Sequence, residues 1–327
     1  MSNDNILEVR HLTTAFMTEH GLLPVVDDVS FDIPQGKCVG IVGESGCGKS
    51  ATAMSLVRLL PQPRGRVLSG SVRFHGQDLL SLPGRELRKV RGGQIGIIFQ
   101  EPMQALNPVQ RIGDQIAETL MIHRRLSHEA AWEEAVRLLE YVHFAAPRER
   151  VNEFPHSISG GMRQRALIAM ALACRPELII ADEPTTALDV TVQHQVLSLL
   201  RELRSELGAA SLLITHDLGV IAQNCDIVWV MYAGRMVESA PVAELFAHPM
   251  HAYTRELIAA CPAPGLKGKE LPTIPGLPPT LREPPRGCTF RPRNTLGRPE
   301  LCSTTHTPEL LELRPGHLVR HCKGCLH

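Results

Sequence analysis

Residues 38–55 read CVGIVGESGCGKSATAMS, an apolar run, a glycine-rich octet and then a helix-forming stretch. Gly43, Gly48, Lys49 and Ser50 complete the pattern G-x-x-x-x-G-K-S. This spacing constrains the fold more than any other feature, because it demands a buried strand, a tight loop and a helix in immediate succession. The glycines let backbone amides of Gly43–Ala51, through Glu44, Ser45, Gly46 and Cys47, wrap β- and γ-phosphates. Lys49 neutralises phosphate charge, and the Ser50 hydroxyl is placed to ligate Mg²⁺. A chance glycine-rich turn would lack the flanking strand and helix. Cys47 reads as a small spacer, although a thiol there is also a candidate nucleophile.

Acids follow about 130 residues later, in LIIADEP. Asp182 ends an apolar strand and can hold Mg²⁺ through water. Glu183 beside it can orient or deprotonate an attacking water, since phosphoryl transfer needs positioning and charge compensation above all. By itself an Asp-Glu pair at a strand end reads as a helix N-cap; the upstream phosphate loop favours the chemical reading. A second glycine pair, in SISGGMRQR at 157–165, opens the apolar helix ALIAMALAC. A helix N-terminus with exposed amides suits an anion, so one chain carries two phosphate-like sites.

Strands ILEVRHLTTAF, VDDVSFDI, KCVGIVG and SGSVRFHG come first, and helical periodicity takes over at about 101–160, where Trp132, Ala135, Val136, Leu139 and Val142 share a face. Val192, Val196, Leu199, Leu200, Leu203 and Leu207 repeat at helical spacing further on. The expected fold class is α/β, interrupted by a helical insertion. Regularity fails after about residue 261, where a Pro- and Gly-rich stretch reads as an extended linker. The expected domains are therefore 1–260 and 261–327. The 34 basic residues balance 34 acidic ones, which argues against a nucleic-acid binder. No basic segment leads into an apolar one at the N-terminus, and no apolar run approaches the ~18–20 residues needed to cross a bilayer. A cytoplasmic location is expected, with any membrane association through partners.

The segments GESGCGKS, IFQEP, SISGGMRQR, LIIADEP, TTALD and LITHD occur in this order. Together they resemble the nucleotide-binding subunits of ATP-binding cassette (ABC) transporters, over residues 1 to about 260. IFQEPMQALNP and the Pro-rich, cysteine-bearing tail resemble, more narrowly, the ATPase subunits of dipeptide/oligopeptide/nickel importers. The resemblance implies a P-loop NTPase of ABC type with a helical subdomain and a C-terminal extension. It implies an ATPase that works with ATP and Mg²⁺ as half of a head-to-tail dimer with a second, related ABC ATPase subunit. It implies two transmembrane permease subunits and, indirectly, an extracytoplasmic solute-binding protein. The place implied is the cytoplasmic face of the inner membrane, as a peripheral subunit.

On this resemblance Ser159, Gly160 and Gly161 would cap the γ-phosphate held by the partner's loop, which accounts for two glycine loops in one chain. A plain helix cap explains Ser159 but not the paired glycines. Gln100 would contact Mg²⁺ and the attacking water. His216 would reach the γ-phosphate, Asp189 would cross the dimer interface, and Phe16 would lie beside adenine or, equally, serve as a core aromatic. Ile158 and Met162 depart from the family's usual Leu and Gln without removing a phosphate-binding group. EPMQALNPVQRIGDQIAE is the candidate contact for the membrane subunits, with a solvated loop and helix as the other reading.

Family tails often hold a [4Fe–4S] cluster on four cysteines, the second placed six residues after a Gly-Cys pair. Here Asn294 stands at that second position, and the implied set becomes Cys288, Cys302, Cys322 and Cys325. Four thiolates suit an iron–sulfur cluster or zinc; His306, His317, His321 and His327 are further candidate ligands, and a tail without metal remains open. Two rival functions are a soluble ABC ATPase of DNA repair or translation and a nucleotide sensor without turnover. The single cassette, absent heptads and zero net charge oppose the first; Glu183 and His216 oppose the second. Peptides, nickel chelates and glutathione are all open as cargo.

Overall fold

Strand and helix alternate as the apolar runs require in the computed structural model, which describes residues 5–186, 188–261, 272–279, 282 and 286–324. Contacts group the chain into two units, Met1–Ile6, Ile33–Lys37 and Ser81–Ile214 in one, and Leu7–Asp32, Cys38–Leu80 and Thr215–His327 in the other.

In the first unit, strands Ile95–Ile98, Leu178–Asp182 and Ala210–Thr215 run parallel, Ile97 opposite Ile180 and Ile180 opposite Leu212. Their near-continuous apolar sequences fit strands covered on both faces. The insertion is helical. Ile112–Arg124 precedes His128–Tyr141, whose first turn is capped by Ser127 accepting from the Ala130 amide. The buried stripe of the second helix is Ala131, Ala135, Val136 and Leu139. Trp132 is half-buried: its indole stacks on His128 at 6.3 Å and lies against Gly113 of the preceding helix, where a Cβ would stand 2.8 Å from the ring. Helix Val190–Leu207 buries Val196, Leu197, Leu199 and Leu203, while Val192, Leu200 and Leu207 stay half-buried.

In the second unit, an antiparallel sheet has the order Gly21–Pro34, Asn5–Thr18, Gly65–Phe74, Gln77–Asp78. Strand Cys38–Val42 runs parallel to Ile227–Tyr232, which pairs antiparallel with Arg235–Pro241. The tail continues this sheet, a departure from the irregular extension expected after residue 261. Strand His317–Arg320 pairs with Arg235–Pro241, and Leu310–Arg314 pairs with His317–Arg320. His317 is fully buried and its Nε2 lies 2.8 Å from Glu238 Oε1, which fastens the hairpin to the sheet. Phe290, wholly buried, packs on Tyr232 and Tyr253 at ring distances of 5.2 and 5.3 Å. A ring buried to that extent contributes roughly 1.5–3 kcal/mol, so the tail supplies core and does not merely decorate it. Among the described residues, no helix is long and apolar enough to cross a membrane.

Candidate functional site

The octet at Gly43–Ser50 forms the turn between the buried strand Cys38–Val42 and helix Lys49–Leu56. Gly48 adopts φ +109°, a conformation that side chains disfavour, and a Cβ there would lie 2.3 Å from the Val25 carbonyl. Lys49 is 4% exposed, and its ammonium donates to the Gly43 and Glu44 carbonyls at 2.9 and 3.0 Å. The amides of Ser45 and Gly46 donate to no other described residue. A buried cation beneath undonated amides is the arrangement that a polyphosphate fits. Cys47 is buried, and desolvation pushes its thiol pKa up, which weighs against a nucleophile and for the spacer. Ser50 and Ala51 lie in the first turn of the helix.

In the first unit, Asp182 is buried at the end of its strand, and Glu183 follows with φ +46°. That conformation is costly for a residue with a Cβ and tends to occur where function over-determines the backbone. The Glu183 amide donates to the Ile214 carbonyl at 2.9 Å. Its Oε2 accepts from Gln100 Nε2 at 3.1 Å and from the Thr186 hydroxyl at 2.8 Å. Gln100 and Glu183 were both expected at a site, and the fold brings them together. Thr186 was missed; a threonine three residues after a strand-end acid is a short-range signal that could have found it.

Ser159 caps helix Gly160–Leu172, its hydroxyl accepting from the Met162 amide at 3.4 Å, and both Ser159 and Gly160 are exposed. Gly161 has a packing reason of its own, since a Cβ there would sit 2.8 Å from Val192 Cγ1. Asp189 caps helix Val190–Leu207 through the Val192 amide at 3.0 Å and is exposed.

In the second unit, His216 is exposed directly after the strand Ala210–Thr215, and Asp217 beside it caps the next helix through the Gly219 amide at 2.7 Å. Phe16 is half-buried in strand Asn5–Thr18, opposite Gly65. In the first unit, the segment that begins at Glu101 forms a short helix, Pro102–Ala105, and leaves Met103 and Val109 exposed at 45% and 79%.

The tail thiols of Cys288, Cys302 and Cys322 all lie within 4.8 Å of one another and are buried. None of the eight described cysteines forms a disulfide. Burial, then the Cys322 thiol at 3.5 Å, pushes the Cys302 pKa up to about 12. Asn294, 5% exposed, donates to Cys302 Sγ at 3.6 Å and to the Gly324 carbonyl at 3.0 Å. Cys325 and His327 lie outside the described residues. No histidine joins the thiols among the described residues: His317 faces Glu238, and His306 is exposed and bonded to Ser303 and Thr305.

A family model for the ABC transporter matches residues 26–186, and one for the oligopeptide/dipeptide transporter C-terminal region matches residues 237–302. A probable peptide ABC transporter ATP-binding protein of Sinorhizobium fredii is 50% identical, over 96% of this chain and 93% of that one. The oligopeptide transport ATP-binding protein OppD of Escherichia coli is 48% identical, over 96% of this chain and 92% of that protein. Among solved structures, the dimeric bacterial ABC transporter cassette MJ0796 aligns with a TM-score of 0.65 at 27% identity, covering 72% of this chain and 98% of that one. The post-hydrolysis dimer of the same cassette, bound to ADP and Pi, aligns with a TM-score of 0.65 at 26% identity over the same shares.

Proposed function

The chain belongs to the ABC transporter ATP-binding subunits of the oligopeptide and dipeptide transport type, and on that premise we propose that it powers peptide import as one ATPase of a membrane-bound pair. The observation that carries this is similarity at 48–50% identity along 96% of the chain, the C-terminal region included. A soluble repair or translation ATPase is not favoured by that region, and nickel or glutathione as cargo has no feature in its support.

The phosphate loop Gly43–Ala51 binds the triphosphate, with Lys49 turning its ammonium from two carbonyls toward the added negative charge. Ser50, Gln100 and Asp182 would hold Mg²⁺, which supplies neutralisation of the charge that develops on the phosphoryl oxygens. Glu183 orients and deprotonates the attacking water; its hydrogen bonds to Gln100 and Thr186 restrict its carboxylate plane. His216 contacts the γ-phosphate, Phe16 flanks adenine, and Ser159, Gly160, Gly161 and Asp189 serve the nucleotide across the dimer interface. ATP stabilises the closed dimer over the open one, and hydrolysis removes that preference. The partner ATPase is a related chain. Two permease subunits dock at the exposed Met103 and Val109, which keeps the protein at the cytoplasmic face of the inner membrane. A solute-binding protein acts on the far side.

Three buried thiols with no disulfide fit a metal group bound by thiolates, because a cation lowers the cost of ionising them. Cys288, Cys302 and Cys322, with Cys325 as the fourth, would hold a [4Fe–4S] cluster or zinc, whose contribution when bound is to cross-link the tail.

The test is uptake of radiolabelled di- and oligopeptides by a strain that lacks the gene, complemented with wild type or Glu183→Gln. Wild type restores uptake and Glu183→Gln does not. Uptake that is unaffected by the deletion would overturn the reading.

A further inference from the structure

Arg293 lies in the tail, 249 residues from the phosphate loop in sequence, yet its guanidinium is paired with that loop's own glutamate. Nη1 donates to Glu44 Oε2 at 2.7 Å and Nη2 to Glu44 Oε1 at 2.9 Å, a bidentate pair. The Arg293 side chain is 5% exposed and that of Glu44 24%. Three further acceptors fix the arginine: the Pro275 carbonyl at 2.8 Å, the Tyr232 hydroxyl at 3.3 Å and the Ile274 carbonyl at 3.5 Å. Its Cζ also stands 5.8 Å from the Tyr232 ring centre.

Glu44 is held at every polar group. Its amide donates to the Tyr253 hydroxyl at 2.9 Å, its carboxylate is clamped by Arg293, and its carbonyl accepts from Lys49 Nζ at 3.0 Å. The chain of contacts therefore runs from the tail, through Glu44, to the lysine of the phosphate loop. Charge matters as much as geometry. A glutamate inside a polyphosphate-binding loop repels the ligand unless its charge is cancelled, and Arg293 is the cation bonded to it.

We propose that Arg293 is a positioning residue for nucleotide binding: it orients the phosphate loop through Glu44 and cancels the Glu44 charge beside the bound phosphates. The inference rests on the ATP-binding reading above. It makes the C-terminal extension a working part of the nucleotide site, with Phe290, packed against Tyr232 and Tyr253, setting where Arg293 stands.

The experiment measures MgATP affinity by calorimetry on the full chain carrying Glu183→Gln to suppress turnover, with and without Arg293→Ala, and KM and kcat in the assembled ATPase pair with the chain otherwise native. Arg293→Ala should weaken binding about 10- to 100-fold, since it leaves a partly buried carboxylate unpaired near the phosphates. KM should rise with kcat changed little. Arg293→Lys keeps the charge and loses the fork, and should fall between. Glu44→Gln combined with Arg293→Ala should regain most of the affinity, which a purely structural arginine would not allow. Thermal melts check that each variant is folded; if Arg293→Ala is not, Arg293→Lys and the double variant carry the test. Wild-type affinity in the folded arginine variants, or a double variant no tighter than Arg293→Ala, would overturn the proposal. Failure of the parent chain itself to bind MgATP would instead sink the ATP-binding reading.

Discussion

Gln100 donates a 3.1 Å hydrogen bond to the same Glu183 oxygen that accepts from Thr186 at 2.8 Å. One donor comes from the end of strand Ile95–Ile98 and the other from the turn after strand Leu178–Asp182, so two parallel strands jointly aim one carboxylate. Glu183→Gln keeps the shape and the accepting oxygen but cannot take a proton. Phosphate release should fall about 10²- to 10⁴-fold, the usual worth of a general base, while MgATP still binds. Thr186→Val removes only one orienting bond and should cost about tenfold. Undiminished phosphate release in Glu183→Gln would remove Glu183 from the catalytic role.

Gly161 meets Val192 across the start of two helices, and a methyl group there would stand 2.8 Å from Val192 Cγ1. Gly161→Ala should destabilise the protein by about 1–3 kcal/mol through overpacking, seen as a lower urea midpoint. Val192→Ala in the same chain should restore the midpoint. If Gly161 also serves the partner's nucleotide, ATPase activity of the assembled pair stays low after stability returns. Full recovery of both would leave packing as the glycine's sole task.

Much of this was legible in the sequence because it is local. The phosphate loop, Asp182 with Glu183, and the Ser159 cap each depend on a few consecutive residues at a strand or helix end. The tail was not legible for the opposite reason. Strand Leu310–Arg314 is mostly exposed and shows no buried face, so it carries no alternation to read. Its partner His317–Arg320 finds its place only against Arg235–Pro241, some eighty residues away. Arg293 and Glu44 carry no mutual signal at all, since a long-range ion pair leaves no periodicity.

His251 is fully buried, and its Nδ1 accepts from the Tyr253 amide at 3.2 Å, a role that requires that nitrogen to be unprotonated. Burial, only partly offset by Glu238, pushes its pKa down to about 4. Below the ordinary histidine value of about 6.5 the unfolded chain takes up a proton that the folded chain refuses. Stability should therefore be intact above that value and decline as pH falls toward 4, by about 3 kcal/mol in all. His251→Asn keeps a capping side chain without a titrating group. Urea midpoints between pH 7 and 4.5 should fall less steeply in that variant, and identical slopes would count against His251 as the source.

Asn294 stands 3.6 Å from Cys302 Sγ, beside three thiols that lie within 4.8 Å of one another. Asn294→Cys would place another thiol next to this set. Thiolate sites gain affinity with each added sulfur donor. The variant, purified without oxygen, should retain more iron or zinc per chain than wild type after dialysis against a chelator, and Cys302→Ser should retain less. Because the tail contributes Phe290 and Arg293 to the core around Tyr232 and Tyr253, metal retention should also raise the melting temperature. Equal metal content in wild type, Asn294→Cys and Cys302→Ser would mean that the three buried thiols are packing groups, held protonated by the same burial that pushes the Cys302 pKa up to about 12.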